Sequence, residues 1–269
     1  MPEGHTLHRL AGLHQELFAG AAVRVSSPQG RFASSASLLD GALFERAEAH
    51  GKHLFHRYAG DRVVHVHLGL YGTFTETELP ASEPRGQVRM RVVGRTHFAD
   101  LRGPTRCELL TPDEVTAVRD RLGPDPLRTD AEPERAWARI SKSRTSIAAL
   151  LMDQKVLSGV GNVYRAEVLF RHGIPPMTPG RALGRERWEL IWDDLAALMA
   201  DGVKVGRIDT VRPEHLPEAT GRAPRQDRHG GEVYVYRRAG MPCLICGDEV
   251  VTEDLAARNL YWCPTCQTA

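Results

Sequence analysis

PCLICGDEVVTEDLAARNLYWCPTC, residues 242–266, holds four of the chain's five cysteines. They fall as Cys243-x2-Cys246 and Cys263-x2-Cys266, with sixteen residues between the pairs. Two residues between cysteines let both thiolates of a knuckle reach one ion from a tight turn, which is the spacing of a four-cysteine zinc site. Gly247 suits the left-handed backbone of such a turn. The intervening segment is long enough for one hairpin, which returns the second pair to close a tetrahedron. Four thiolates leave no open position, so one zinc ion on Cys243, Cys246, Cys263 and Cys266 is expected to be structural and not catalytic. Two disulfides would use the same cysteines, but a reducing cytosol disfavours them. Cys107 stands alone and reads as a buried, inert thiol.

Upstream of the cysteines, VLSGVGNVYRAEVLF (156–170) is an apolar stretch, a turn made by Gly159 and Gly161, and a helix led by Asn162. A helix-turn-helix places backbone N–H groups at the start of its second helix, where a phosphate can dock. A plain glycine turn between two packed helices is the commoner reading of such a segment taken alone. Helical spacing also marks residues 131–140, 146–154, 163–171 and 185–200, and Pro112-Asp113-Glu114 begins another helix with Thr111 as candidate cap. Residues 206–232 are polar, rich in Pro and Arg, and read as a mobile loop.

The first half of the chain has a different rhythm. Short strand-like runs at 23–25, 54–58, 63–68, 88–93 and 96–98 are punctuated by Gly and Pro, which predicts an antiparallel sandwich or barrel. His65 and His67 alternate with Val64, Val66 and Leu68 and therefore share one face of a strand. Residues 2–19 place Leu7, Leu10, Leu13, Leu17 and Phe18 at helical spacing, and Pro2 suits the start of that helix. If Met1 is removed, Pro2 carries a free secondary amine. Free α-amines titrate near ~7.7–8.0, so a share is neutral at cell pH and able to attack a carbonyl carbon. Glu3 stands beside it as a proton donor. A small residue after Met1 is also ordinary in proteins with no such chemistry, so the fragment alone decides little.

Composition bounds the rest. The chain has 269 residues, 42% hydrophobic and 26% charged, which suits one large or two modest globular domains. No apolar run approaches the ~20 residues of a membrane helix. His5, His8, Arg9 and His14 interrupt any signal-peptide core, so a cytoplasmic protein is expected. The formal net charge of +1 is weak support for a nucleic-acid partner. Its distribution says more: residues 135–171 carry seven Lys/Arg against two Asp/Glu, either a local anion-binding face or a solvated surface.

Together these residues resemble the formamidopyrimidine-DNA glycosylase/endonuclease VIII family. The resemblance lies in their order: Met-Pro-Glu at the start, Gly51-Lys52-His53, His67-Leu68-Gly69-Leu70, Leu151-Met152-Asp153-Gln154, Gly159-Val160-Gly161-Asn162-Val163-Tyr164, and the finger ending in Cys-Pro-Thr-Cys-Gln. It spans essentially the whole chain. It implies an α+β multidomain fold. Residues 1–111 would form the catalytic domain, an N-terminal helix plus antiparallel β-sandwich. Residues 112–232 would form a helical helix-two-turn-helix domain, and 233–269 a zinc-ribbon β-hairpin.

The resemblance also implies a bifunctional DNA glycosylase and abasic-site lyase. In it Pro2 is the nucleophile, Glu3 the general acid/base and Lys52 a phosphate anchor. Asn162 and Arg258 contact backbone phosphate, and Glu167 supports the site's hydrogen bonds. Leu70 and Tyr71 match the void-filling wedge of the endonuclease VIII branch, although Gly69 replaces the polar residue expected before them. As strand-end residues they would instead belong to the core. His5-Thr6 departs from the Pro-Glu usual in both branches. His65 and His67 are expected to line a DNA-facing groove or to bond within the sheet, not to hold a second metal. The implied partner is double-stranded DNA with oxidised bases or abasic sites, bound by a nucleoid-associated monomer. Pro-Glu-Gly and Leu-Tyr favour oxidised pyrimidines. Oxidised purines are the alternative, and a non-catalytic zinc-ribbon binder is a third reading.

Overall fold

Helix α1 (Gly4–Phe18) forms because Leu7, Ala11 and Phe18 recur on one face and are buried there. The strands that follow are β1 (Ala21–Ala22) and β2 (Arg24–Ser26), then, after helix α2 (Ala33–Leu39), β3 (Leu43–His50), β4 (His53–Tyr58), β5 (Arg62–His67), β6 (Thr73–Glu78), β7 (Val88–Val93), β8 (His97–Arg102) and β9 (Arg106–Leu110). They make two antiparallel sheets, one ordered β1-β3-β4-β5-β9 and the other β2-β7-β8-β6. Leu54, Val64 and Val66 of the first sheet and Val25, Met90, Val92 and Leu101 of the second share one core with Leu7 and Phe18. This is the expected helix and sandwich.

The computed structural model describes residues 2–227 and 231–268. Its chain divides into two compact units, the first ending at Arg121 and the second beginning at Leu122. Helix α3 (Pro112–Arg119), read from sequence as the start of the helical domain, packs on β5 and β9 of the first unit, with Val115 against Phe55 and Val63. Thr111 caps it as expected. The Thr111 hydroxyl accepts from Glu114 N at 3.3 Å, and Glu114 accepts in return from Thr111 N at 2.8 Å.

The second unit contains α4 (Pro133–Ile140), α5 (Ile147–Met152), α6 (Asn162–Arg171), α7 (Arg185–Val205) and a hairpin of β10 (Val251–Asp254) and β11 (Asn259–Trp262). Ile140, Ile147, Leu151, Leu169, Trp188 and Leu195 form its core, and Leu260 of the hairpin belongs to the same core. Finger and helices are therefore one body. Gln267 strengthens the join: its Oε1 accepts from Cys263 N and its Nε2 donates to Ile174 O. The stretch expected as a mobile loop is pinned over its described part. Thr210 N donates to Glu232 O, Arg222 bonds Glu232, and Arg225 bonds Asp227. Residues 228–230 of that stretch lie outside the described residues. Among the described residues no helix is long and apolar enough to cross a membrane.

One turn is built against local preference. Leu255 and Arg258 exchange backbone hydrogen bonds of 2.9 and 3.2 Å, which leaves Ala256 and Ala257 as a two-residue loop with φ of 53° and 57°. Positive φ at both central residues is the type I′ turn, which favours Asn-Gly. An alanine in this region costs ~1–2 kcal/mol. Both residues are exposed, so their side chains add no packing. Replacing the pair by Asn-Gly (Ala256→Asn with Ala257→Gly) is expected to raise stability by at least ~1 kcal/mol, about 2–4 °C in melting temperature. Calorimetry of both proteins checks this, and an unchanged transition would contradict it.

Candidate functional site

Pro2 and Glu3 lead into α1. Glu3 is the helix's N-cap residue, with extended backbone, and its carbonyl accepts from Thr6 N at 3.0 Å. Its side chain is sealed from solvent, at 0% exposure, while Pro2 is half-buried. The residue 2 nitrogen thus stands at the positive end of a helix, which disfavours a protonated amine. His5 in the same first turn is buried, and burial above all pushes its imidazole down to about 4. It is neutral at physiological pH and adds no positive charge.

Lys52 lies in the two-residue loop joining β3 and β4. Pairing of His50 with His53 closes that loop, and Gly51 turns it with a φ of +57°. Helix α1 packs on both strands, and Gln15 Oε1 accepts from Ala47 N of β3 at 2.9 Å. A second tie comes from His14 on α1. Its Nδ1 is 2.9 Å from His56 Nε2 on β4, and its Nε2 is 2.9 Å from Glu76 Oε1 on β6. His14 therefore fastens the helix to both sheets, and burial holds His56 well below its ordinary value.

Leu70 and Tyr71 stand on a turn closed by Gly72 N donating to Leu68 O at 3.0 Å. They are 45% and 86% exposed, which overturns the strand-end core reading. Gly69 has a φ of +69°, and a Cβ there would lie 1.8 Å from Thr105 Oγ1. A polar side chain at 69 does not fit this turn, so the apolar tip is Leu70 and Tyr71 alone. His65 is buried and bonds within the sheet, 2.7 Å from His53 and 2.9 Å from Glu108. His67 is half-buried beside His53, with ring centroids 5.0 Å apart. Cys107 is partly buried, not fully, and burial pushes its thiol up to about 12.

In the second unit the segment between α5 and α6 is knitted by one side chain. Gln154 Nε2 donates to Met152 O and Val160 O, and its Oε1 accepts from Gly159 N. Asn162, at the start of α6, is buried. It donates from Nδ2 to Asn259 O at 2.9 Å and accepts from Arg165 on Oδ1, so its amide joins α6 to the finger hairpin. Arg258, at the hairpin tip, lines a recess of about 310 Å³ with Arg165, Asp153, Met152, Leu255 and Ala256. Arg165 is buried and bonded to Asn162 and Asn259, so Arg258 is the arginine of this recess with surface exposure, and Asp153 shares its lining.

Glu167 takes the hydrogen-bonding role and not that of a solvated helix residue. A helical glutamate is usually solvated; this one is 0% exposed. Oε2 accepts from Thr210 Oγ1 at 2.6 Å and Tyr234 N at 2.7 Å, and Oε1 accepts from Val235 N and Tyr236 N at 2.9 and 2.8 Å. It binds the chain before the first knuckle to α6.

The four cysteines converge. Zn–S bonds of ~2.3 Å imply S···S edges of roughly 3.8 Å. Cys243 and Cys266 sulfurs lie 3.7 Å apart, Cys246 and Cys263 sulfurs 3.5 Å, and the four lie within 4.8 Å of one another. The donor set fits one zinc ion.

Comparison with known proteins agrees along the length of the chain. Residues 1–107 match the family described as formamidopyrimidine-DNA glycosylase N-terminal domain, 122–213 the formamidopyrimidine-DNA glycosylase H2TH domain, and 240–269 the zinc finger found in FPG and IleRS. The chain is 59% identical to "Endonuclease 8 1" of Mycobacterium tuberculosis over 275 residues, covering 100% of both. It is 30% identical to a formamidopyrimidine-DNA glycosylase of Parasynechococcus marenigrum, covering 99% of both. Among solved structures it is similar to Lactococcus lactis Fpg in complex with abasic-site DNA, with a TM-score of 0.79 at 21% identity, covering 99% of this chain and 100% of that one.

The Glu167 cluster yields a stability prediction. Glu167→Gln keeps two of the backbone donors on its oxygen but turns an amide N–H₂ toward Tyr234 N. Stranding that buried donor costs about 1–3 kcal/mol. Urea unfolding should show the loss, and an unshifted midpoint would mean the cluster does not hold the fold.

Proposed function

The chain belongs to the formamidopyrimidine-DNA glycosylase/endonuclease VIII family, whose members are DNA glycosylases with abasic-site lyase activity, and from that premise we propose that it excises oxidised bases, mainly pyrimidines, through a Schiff base on Pro2. The observation that carries the reading is Glu3, a residue fully shielded from water that directly follows Pro2 at the head of α1.

The chemistry follows from the groups present. The damaged base is first extruded from the duplex. With Met1 removed, the neutral Pro2 amine attacks C1′ of the sugar and the base departs. Glu3 protonates the opening sugar oxygen and assists the later proton transfers. A secondary amine gives an iminium, whose positive nitrogen draws electrons from C2′ once its proton is taken. The 3′ C–O bond then breaks, and a second elimination breaks the 5′ C–O bond. Lys52 anchors a phosphate flanking the lesion. Arg258 takes phosphate oxygens through its planar fork. Asn162 holds the start of α6 and the finger hairpin in one arrangement beside it.

Leu70 and Tyr71 fill the space left by the extruded nucleotide and offset its lost stacking. Their exposure supports this use, since large apolar side chains gain nothing from water. The zinc ion on Cys243, Cys246, Cys263 and Cys266 supplies folding energy to the finger. The enzyme acts as a monomer on duplex DNA in the cytoplasm. The Pro-Glu-Gly start, the Leu-Tyr tip and the 59% identity to an endonuclease 8 support the pyrimidine branch.

Matched duplexes carrying dihydrouracil, thymine glycol or 8-oxoguanine test the substrate class. Faster excision of the two pyrimidines is expected, and a preference for 8-oxoguanine would move the enzyme to the purine branch. In the same assays Glu3→Gln should lower base excision by about 10²–10⁴-fold and abasic-site cleavage by less. Equal retention of both activities would make Glu3 structural.

A further inference from the structure

The mechanism uses Lys52 and leaves its neighbour His53 without a task. His53 Nδ1 lies 2.7 Å from His65 Nε2, and His65 Nδ1 lies 2.9 Å from Glu108 Oε1. The three residues come from β4, β5 and β9, which are adjacent in the sheet, with His65 directly opposite Glu108. The far end of this chain fixes its direction. A carboxylate has no proton to give. His65 therefore carries its proton on Nδ1 and turns the lone pair of Nε2 toward His53. His53 must donate from Nδ1, which leaves a lone pair on its own Nε2. A basic nitrogen is thus left on the residue that follows Lys52, at the hairpin end of β4.

Packing holds the chain in place. His65 is 1% exposed and stacks on Phe55 at 5.1 Å and 16°, and the Arg119 guanidinium covers the Phe55 ring. The His53 and His65 rings lie edge to edge and nearly coplanar, with centroids 5.0 Å and planes 16° apart, as an in-plane hydrogen bond requires. The free protein keeps His53 neutral. Burial pushes it down to about 3, and the electrostatic influence of His65, His67, His50 and Arg106 adds to the shift. A phosphate arriving at the Gly51-Lys52 turn opposes that shift, because a nearby anion favours the imidazolium.

We propose that His53 is a second phosphate ligand of the Lys52 turn, protonated on Nε2 when DNA binds, with His65 and Glu108 as the relay that balances its charge. The inference rests on reading the Lys52 turn as a phosphate anchor. The proton comes from solvent and adds to the Nε2 lone pair; the two hydrogen bonds of the relay keep their direction, and no covalent bond to carbon changes. The groups around His53 are His50 on β3, Lys52 in the turn, His65 and His67 on β5, and Arg106 and Glu108 on β9, with Arg119 of α3 over Phe55. Glu48 of β3, opposite Phe55, is paired with Arg119, so Glu108 is the carboxylate that bonds the relay. Because His53 is neutral when free and charged when bound, association takes up a proton. Affinity therefore falls as pH rises, until the complex itself loses that proton.

The test is binding to a duplex carrying a tetrahydrofuran abasic analogue, which cannot form a Schiff base. Fluorescence anisotropy across neutral pH gives the pH slope, and calorimetry in buffers of different ionisation heat gives the protons taken up. Wild type is expected to take up protons, with affinity falling by up to about tenfold per pH unit. Glu108→Gln keeps an acceptor for His65 Nδ1 and removes the charge; His53→Gln removes the basic nitrogen. Both should flatten the slope and lose proton uptake while melting as wild type does. No uptake by wild type, or undiminished uptake by His53→Gln, overturns the proposal, the latter by placing the proton on another group such as Pro2 or His67. Lys52→Ala separates the two readings: it should weaken binding at every pH, and unchanged binding there would instead remove the phosphate anchor itself.

Discussion

A nucleophile at a chain terminus, the role proposed for Pro2, is covalently tethered on one side only. Its position is therefore set by whatever holds the first helix, and here that helix is held on three sides. Leu7, Ala11 and Phe18 bury one face in the sandwich core. Gln15 grips β3 through Ala47. His14 reaches a histidine of one sheet and a glutamate of the other. Loosening any of these would move residue 2 relative to Lys52, and an error of about 1 Å in a reacting group is enough to cost about 10²-fold in rate. On the proposed mechanism, the sandwich serves catalysis by keeping α1 still.

The second unit solves a related problem with polar groups. Glu167, Asn162 and Gln154 are held inside the unit by backbone partners rather than pointing to solvent. Each fixes a piece of irregular chain that would otherwise have several conformations. The thiolate cluster and Gln267 do the same for the finger, whose hairpin carries Arg258. The strained Ala256-Ala257 turn beside that arginine fits the same pattern, since unfavourable backbone persists only where the surroundings over-determine it.

Much of this was legible in the sequence where the signal was local. Cysteine spacing gave the zinc site, periodic leucines gave α1, and Thr111 with Glu114 gave a capped helix. Strands β3 and β6 were not legible. In β3 only Phe44 and Ala49 are buried along a run with four charged or polar neighbours, and in β6 only Phe74 is buried, so neither shows clean alternation. Leu70 and Tyr71 look like core by composition, and their exposure follows from the Gly69 and Gly72 turn. The partners of Glu167 and of the histidines were illegible for one reason. They lie 43 to 69 residues away for Glu167, and 12 and 43 away for His65, so these pairings depend on packing and strand register. Helix α3 went to the first unit because Val115 meets Phe55 and Val63, a contact no local pattern announces.

The central claim is that the residue 2 amine forms a covalent bond to the sugar. The direct measurement is borohydride reduction of the protein mixed with a duplex containing one abasic site, followed by mass analysis of the N-terminal peptide. The account predicts a trapped adduct, with Met1 absent and the added mass on Pro2. Protein shown to lack Met1 and to hold its zinc, yet giving no adduct or one on a lysine, would contradict it.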